Sequence, residues 1–155
     1  MGYNIIDLIN KAINIAIRKK TIYKSVGQLN HDIPSIEILS KVLAKEIDKT
    51  IKYYEELKSE LSGVKFEEID FYIYDRQSFL IDEFNKKIYT TEINNIKEYL
   101  KFSLDLEKDG KSLLIDVQGR FVQNTSDTKT RTYKILSDMI INKDNLISAL
   151  EKIIK

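Results

Sequence analysis

The sequence predicts an all-α fold, a single domain over 1–155 made of two long helical hairpins joined by a crossover. Three observations predict it. Apolar residues recur every three or four positions over long stretches, the spacing of one helix face. Only five Gly and one Pro punctuate the 155 residues, too few for an all-β chain, which needs a turn roughly every ten residues. The long periodic segments fall into two pairs, each separated by a polar loop. With 43% apolar and 32% charged residues, the chain has enough material for one buried core.

The first helix is expected over about 3–26. Ile5, Leu8, Ala12, Ala16 and Tyr23 form one stripe, and Ile6, Ile9, Ile13 and Ile17 form a second beside it. A bundle interior needs only one such face, so the second is covered by the crossover or by a subunit contact, and a homodimer is expected. GQLNHDIPS, residues 27–35, reads as a loop, with Ser35 after Pro34 as N-cap of the next helix. That helix runs to about Ser62, stopped by Gly63, on the stripe Ile36, Leu39, Leu43, Ile47, Thr50, Tyr54, Leu57 and Leu61. The first hairpin therefore spans 3–62.

The crossover spans 63–91. Its segment VKFEEIDFYIYDRQSFLIDEFNKKIYT is too long for a direct turn and is expected to be helical, although the alternation in IDFYIYD also suits a strand. A third long helix is expected from about Thr91 to Val122, on the inner row Ile93, Ile96, Leu100, Ser103, Glu107, Gly110, Leu114, Val117 and Phe121. After the polar loop NTSDTKT, a fourth helix over about 131–154 completes the second hairpin, 92–155, with a break near INKDN where Asn142 offers a fresh cap.

Charge and composition exclude several functions. Twenty-five Lys plus Arg stand against twenty-four Asp plus Glu, interleaved, for a net charge of +1. There is no positive field for nucleic acid or an anionic membrane, and neither is expected as a partner. With no Cys there is no disulfide, thiolate metal site or cysteine nucleophile. Asp7, Lys11 and Arg18 interrupt the first apolar segment and MGYNII lacks the residue for myristoylation, so a cytoplasmic protein is expected. No phosphate-binding glycine loop and no nucleophile elbow occurs. The aromatic run FYIYD has Phe79 close behind and Glu67, Glu68, Asp70 and Asp75 around it. Such acids repel phosphate, so the run is read as packing of the crossover rather than a base-stacking platform.

Four segments carry a resemblance. AINIAIRKKTIYKSV, from Ala12, resembles the first helix of rubrerythrin-like proteins, where AIExEKxxxxFY sets a metal-binding Glu seven residues before a Tyr. Tyr23 matches the Tyr, and Ala16 stands at the Glu. LAKEIDKTIKYYEEL, residues 43–57, resembles the second helix, LAEEExxHxxYYEEL, with Ile47 at the Glu and Thr50 at the His. KFSLDLEKDGKSLL resembles the third and keeps its Glu as Glu107, with Leu114 in place of the tyrosine. INKDNLISALEKI resembles the fourth, with Asn142 and Asn145 where Glu and His would stand. The resemblance implies a ferritin-like four-helix bundle with a degenerate di-iron site.

Such a site takes about four carboxylates and two imidazoles from four helices. With Glu107 as the one surviving ligand-like position, the resemblance implies a bundle that has lost its metal, non-catalytic and structural, binding or regulatory, with no cofactor. The alternatives are a di-iron oxidoreductase or iron-binding protein with displaced ligands, and a binder of a small molecule, whose identity the sequence does not name, in the vacated core. Glu46 and Asp48 flank Ile47 but are rotated about 100° from its stripe, so neither replaces it. His31, the only histidine, is read as an exposed loop residue. Glu107, a carboxylate in a core stripe, needs a partner. Lys19, one turn after Ala16 on the inner row of the first helix, is expected to supply it as a core ion pair, or else both side chains reach the edge of the bundle.

Overall fold

A computed structural model describes residues 3–88 and 93–154. Within them the regular elements are all helices: α1 (Ile5–Leu29), α2 (Pro34–Leu61), α3 (Phe71–Lys87), α4 (Ile96–Phe121), a short 3-10 helix (Thr125–Lys129) and α5 (Arg131–Ile154). The α1/α2 and α4/α5 hairpins pack together, and α3 lies along α4 and touches α1. No described helix is long and apolar enough to cross a membrane. Residues 1–2 of MGYNII and the expected helix start at Thr91 lie outside the described residues.

Asn4 caps α1: its Oδ1 accepts from the Ile6 amide at 2.8 Å while Asp7 accepts from the Asn4 amide at 2.9 Å, a reciprocal capping box. The helix continues past Val26 to Leu29, so Gly27, read above as loop, is helical and buried. A Cβ at Gly27 would stand 2.8 Å from the Ser40 Cβ. The missing side chain is what lets α2 approach this closely. Helix α2 starts at Pro34, not after Ser35. Proline fills the first turn, where its missing amide donor costs nothing, and Ile33 precedes it without a side-chain cap. At the other end Gly63 follows with φ +80°, a left-handed conformation that suits glycine.

The crossover is helical, which removes the strand alternative for IDFYIYD. Asp70 caps α3 by accepting from the Tyr72 amide at 3.0 Å. Helical spacing turns Ile73, Tyr74, Gln77, Ile81 and Phe84 inward but leaves Phe71 59% and Tyr72 74% exposed, with Phe79 also on the surface. The aromatic run therefore packs only in part, chiefly through Tyr74, which stacks on Tyr3 at 3.9 Å. Gln77 is fully buried and donates to the Val117 carbonyl at 2.8 Å, fastening α3 to α4.

Helix α4 buries Tyr99 fully and packs Leu100 against the core in part, and Ser40 shares a 2.8 Å hydrogen bond with the Tyr99 hydroxyl. Helix α5 runs unbroken through INKDN, because consecutive buried residues Met139, Lys143, Leu146, Ile147 and Leu150 keep it seated on the core. Its first turn is capped from the crossover, where Glu67 accepts from the Thr132 amide at 2.9 Å. The second stripe of α1 is buried within the chain at Ile9 and Ile13, while Ile17 is 49% exposed. Of the apolar face expected to drive self-association, only Ile17 is substantially open to solvent.

Candidate functional site: a buried Lys–Glu–Lys cluster

At mid-bundle, three charged side chains from three helices meet out of contact with solvent. Glu107 of α4 is 1% exposed, Lys19 of α1 is 2% and Lys143 of α5 is 5%. Lys19 Nζ donates to Glu107 Oε1 at 2.9 Å and to Oε2 at 3.1 Å, and Lys143 Nζ donates to Oε2 at 2.7 Å. Each is fixed by its place in an apolar row: Lys19 lies between Ala16 and Tyr23, Glu107 between Ser103 and Gly110, Lys143 between Met139 and Leu146, all buried. A Cβ at Gly110 would come 3.8 Å from the Lys143 Cε, an ordinary packing distance, so Lys143 passes this position in van der Waals contact.

One carboxylate between two ammoniums governs how the cluster titrates. Burial by itself pushes the Glu107 carboxyl up, but Lys143 and Lys19 outweigh it and hold the group down at about 2. For Lys19, burial lowers the ammonium to about 8; Glu107 opposes this and the Lys143 charge adds to it. For Lys143, burial is overcome by Glu107 and the group is held above its ordinary value. The opposite directions have one cause. The first proton to leave relieves the excess positive charge, whereas the second would leave Glu107 unpaired. At neutral pH all three are ionised and the cluster carries one excess positive charge.

Beside the cluster lies a cavity of about 40 Å³, lined by Lys19 and Lys143, by Ala16, Thr50 and Tyr54, and by apolar side chains from α1, α3, α4 and α5, among them Phe84 and Leu114. The Thr50 hydroxyl donates to the Glu46 carbonyl at 3.3 Å. Tyr23, one turn past Lys19, is buried, its hydroxyl has no protein hydrogen-bond partner, and burial raises its pKa well above the ordinary value.

The positions at which the di-iron ligands were sought separate into two groups. Ala16, Ile47, Thr50 and Glu107 are all buried in the core. Asn142 and Asn145 are not: they line a surface depression with Glu46, Lys49 and Thr50. The register of α5 is the reason, for its buried row passes through Lys143, one residue from Asn142. Lys143 had a signal in the sequence, a lone lysine in the row Leu136, Met139, Lys143, Leu146, Leu150. His31 is exposed in the turn between α1 and α2, its Nδ1 3.1 Å from the Gln28 carbonyl. Among the described residues, no group of three or more His, Cys, Asp or Glu side chains is placed to hold a metal ion.

Comparison with protein-family models, with curated proteins and with solved structures found no match for this chain.

Proposed function

We propose that this chain is a ferritin-like bundle of rubrerythrin-like descent in which a Lys–Glu–Lys cluster occupies the level of the former di-iron centre, and that it serves as a non-catalytic structural, binding or regulatory bundle. One observation carries the reading. The only buried carboxylate among the described residues is already held by two ammonium groups, at 2.7 and 2.9 Å. A di-iron centre needs a surplus of negative charge to balance its cations. Here the surplus is positive, and an iron ion beside Glu107 would have to displace a lysine while remaining close to the other.

The layout of two helical hairpins joined by a helical crossover supports the same descent. A displaced-ligand enzyme would need acids or histidines brought together elsewhere, and Glu46 sits instead with Lys49 at 3.0 Å on the surface. The core cavity also limits the small-molecule alternative, because about 40 Å³ is far below the roughly 300 Å³ at which pockets for organic ligands begin.

Anaerobic loading with ferrous iron, followed by desalting and metal analysis, tests the proposal. The expected result is no retained iron and no ferroxidase or peroxidase turnover. Stoichiometric retained iron with turnover would overturn it in favour of a di-iron protein with displaced ligands. Sedimentation addresses the homodimer separately.

A further inference from the structure

We propose that the cavity beside Lys19 and Lys143 is a binding site for one small monovalent anion of halide size. The inference deepens the preceding reading by naming the ligand class of the same site, but it requires only the two ammoniums and the cavity, whatever the descent of the fold.

Charge is the first argument. Two buried ammoniums and one buried carboxylate leave a single positive charge in the core, and an uncompensated buried charge is unfavourable. A monovalent anion neutralises it. A dianion such as sulfate would overshoot and restore an unbalanced charge of opposite sign.

Donor geometry is the second. The two ammoniums carry six N–H donors and make three contacts with Glu107. The donors left over belong to side chains that are themselves more than nine-tenths buried and that line the cavity. Thr50 commits its hydroxyl proton to the Glu46 carbonyl, so the charged donors are the two lysines, with Tyr54 the remaining polar side chain of the lining. The remaining walls are largely hydrocarbon, including Leu8, Ile81, Phe84 and Leu113. They favour a weakly hydrated ion over one that needs many hydrogen bonds.

Size is the third. A volume of about 40 Å³ admits roughly three or four water-sized bodies, at about 10–15 Å³ each on the same measure. A halide ion fits, whereas a phosphate ester or a carboxylic metabolite does not. Water is the competing occupant. It neutralises nothing, and the two differ in how the protein should respond to salt.

The experiment follows thermal unfolding and the ³⁵Cl NMR line width at neutral pH during titration with sodium chloride and sodium bromide. Sodium sulfate at matched ionic strength controls for screening, and the wild-type chain is compared with Lys19→Met and Lys143→Met. Each variant keeps Glu107 with one lysine and so removes the excess charge without orphaning the carboxylate. The expected result is a saturable rise in Tm with chloride and bromide, absent with sulfate, and a broadened ³⁵Cl line in the wild type, both lost in either variant. Equal responses to chloride and sulfate, or a chloride response and line width that either variant retains, would overturn the proposal. Should one variant fail to fold, the other decides, with bromide anomalous scattering in wild-type crystals as an independent measurement: a peak within contact of both Nζ atoms is expected, and a water there refutes the site. Failure here with no iron retained in the loading experiment leaves the non-catalytic reading standing, whereas retained iron removes that reading whatever the halide result.

Discussion

Besides the Gln77 contact with the Val117 carbonyl, α4 pairs its own polar side chains with those of neighbouring helices in the core at two levels, eight residues apart, roughly 12 Å along the helix. At one level Ser40 and Tyr99 share a neutral hydrogen bond of 2.8 Å. At the other, Glu107 is gripped by Lys19 and Lys143. Both are dry, yet they obey different rules. The neutral pair satisfies itself, so its worth is independent of pH and breaking it strands one hydroxyl. The cluster is a matter of stoichiometry, so the consequence of removing a residue depends on the charges that remain. Two ammoniums on one carboxylate make the acid indispensable and either base replaceable.

The largest effect follows from that asymmetry. Glu107→Leu leaves two buried ammoniums facing each other and should cost about 4 kcal/mol or more, since even one orphaned partner costs about 3–5 kcal/mol. Urea denaturation at neutral pH measures it, and a loss below about 1 kcal/mol would place the cluster in contact with water.

Next in size is the pH dependence. The native state gives up the Lys19 proton near pH 8, against an ordinary value of 10.5. Between these values the unfolded chain binds more protons than the native one, so stability should rise with pH, by about 2 kcal/mol from pH 8 to 10. Tyr23 and Tyr54, raised by burial, oppose the rise only above about pH 10. On the acid side Glu107, lowered to about 2 from 4.5, supports the fold above pH 4.5 and loses that support as pH falls toward 2. Lys19→Met should abolish the alkaline rise while changing neutral-pH stability by less than about 1 kcal/mol, because Glu107 and Lys143 remain paired. A variant that keeps the rise would assign it to another group.

Two smaller effects probe the neutral level. Gly27→Ala drives a Cβ to 2.8 Å from the Ser40 Cβ, and the overpacking should cost about 1–2 kcal/mol even after alanine's better helix propensity. An unchanged Tm would mean that α1 and α2 can part without loss. Tyr99→Phe strands the Ser40 hydroxyl and should cost about 1 kcal/mol at any pH from 5 to 9, and adding Ser40→Ala should restore part of it. A cost that varies with pH would tie this level to the cluster.

Much of this architecture was legible in the sequence because burial leaves a period. Ile36, Leu39, Leu43, Ile47, Thr50 and Tyr54 recur at helical spacing, and all six are buried. Lys19 and Glu107 stood out for the opposite reason, as charges within such rows, and the structure brings them to 2.9 Å. Lys143 obeys the same logic on α5, but a register chosen to set Asn142 and Asn145 at ligand positions turned it outward. A helix tolerates a one-residue slip in a remote alignment, whereas its own apolar row does not. The helix boundary at Gly27 was hidden because glycine signals both a stop and a close approach, and only the position of Ser40 on a different helix decides between them. The approach of Lys143 to Glu107, 36 positions away on another helix, likewise has no local trace.

The bridge from Ile69 to Tyr3, with its 2.7 Å amide-to-carbonyl bond, bears on the order of assembly. It ties the start of α1 to the crossover and stacks Tyr74 of α3 on Tyr3 at 3.9 Å, but α3 packs chiefly along α4, so the units with local contacts are the α1/α2 and α4/α5 hairpins. The Lys19–Glu107 contact spans 88 positions and forms only when the second hairpin docks and three charges shed their water together. Such a late step lies on the native side of the folding barrier, so the cluster should act as a brake on escape: disturbing Glu107 should accelerate unfolding in a chevron far more than it slows folding.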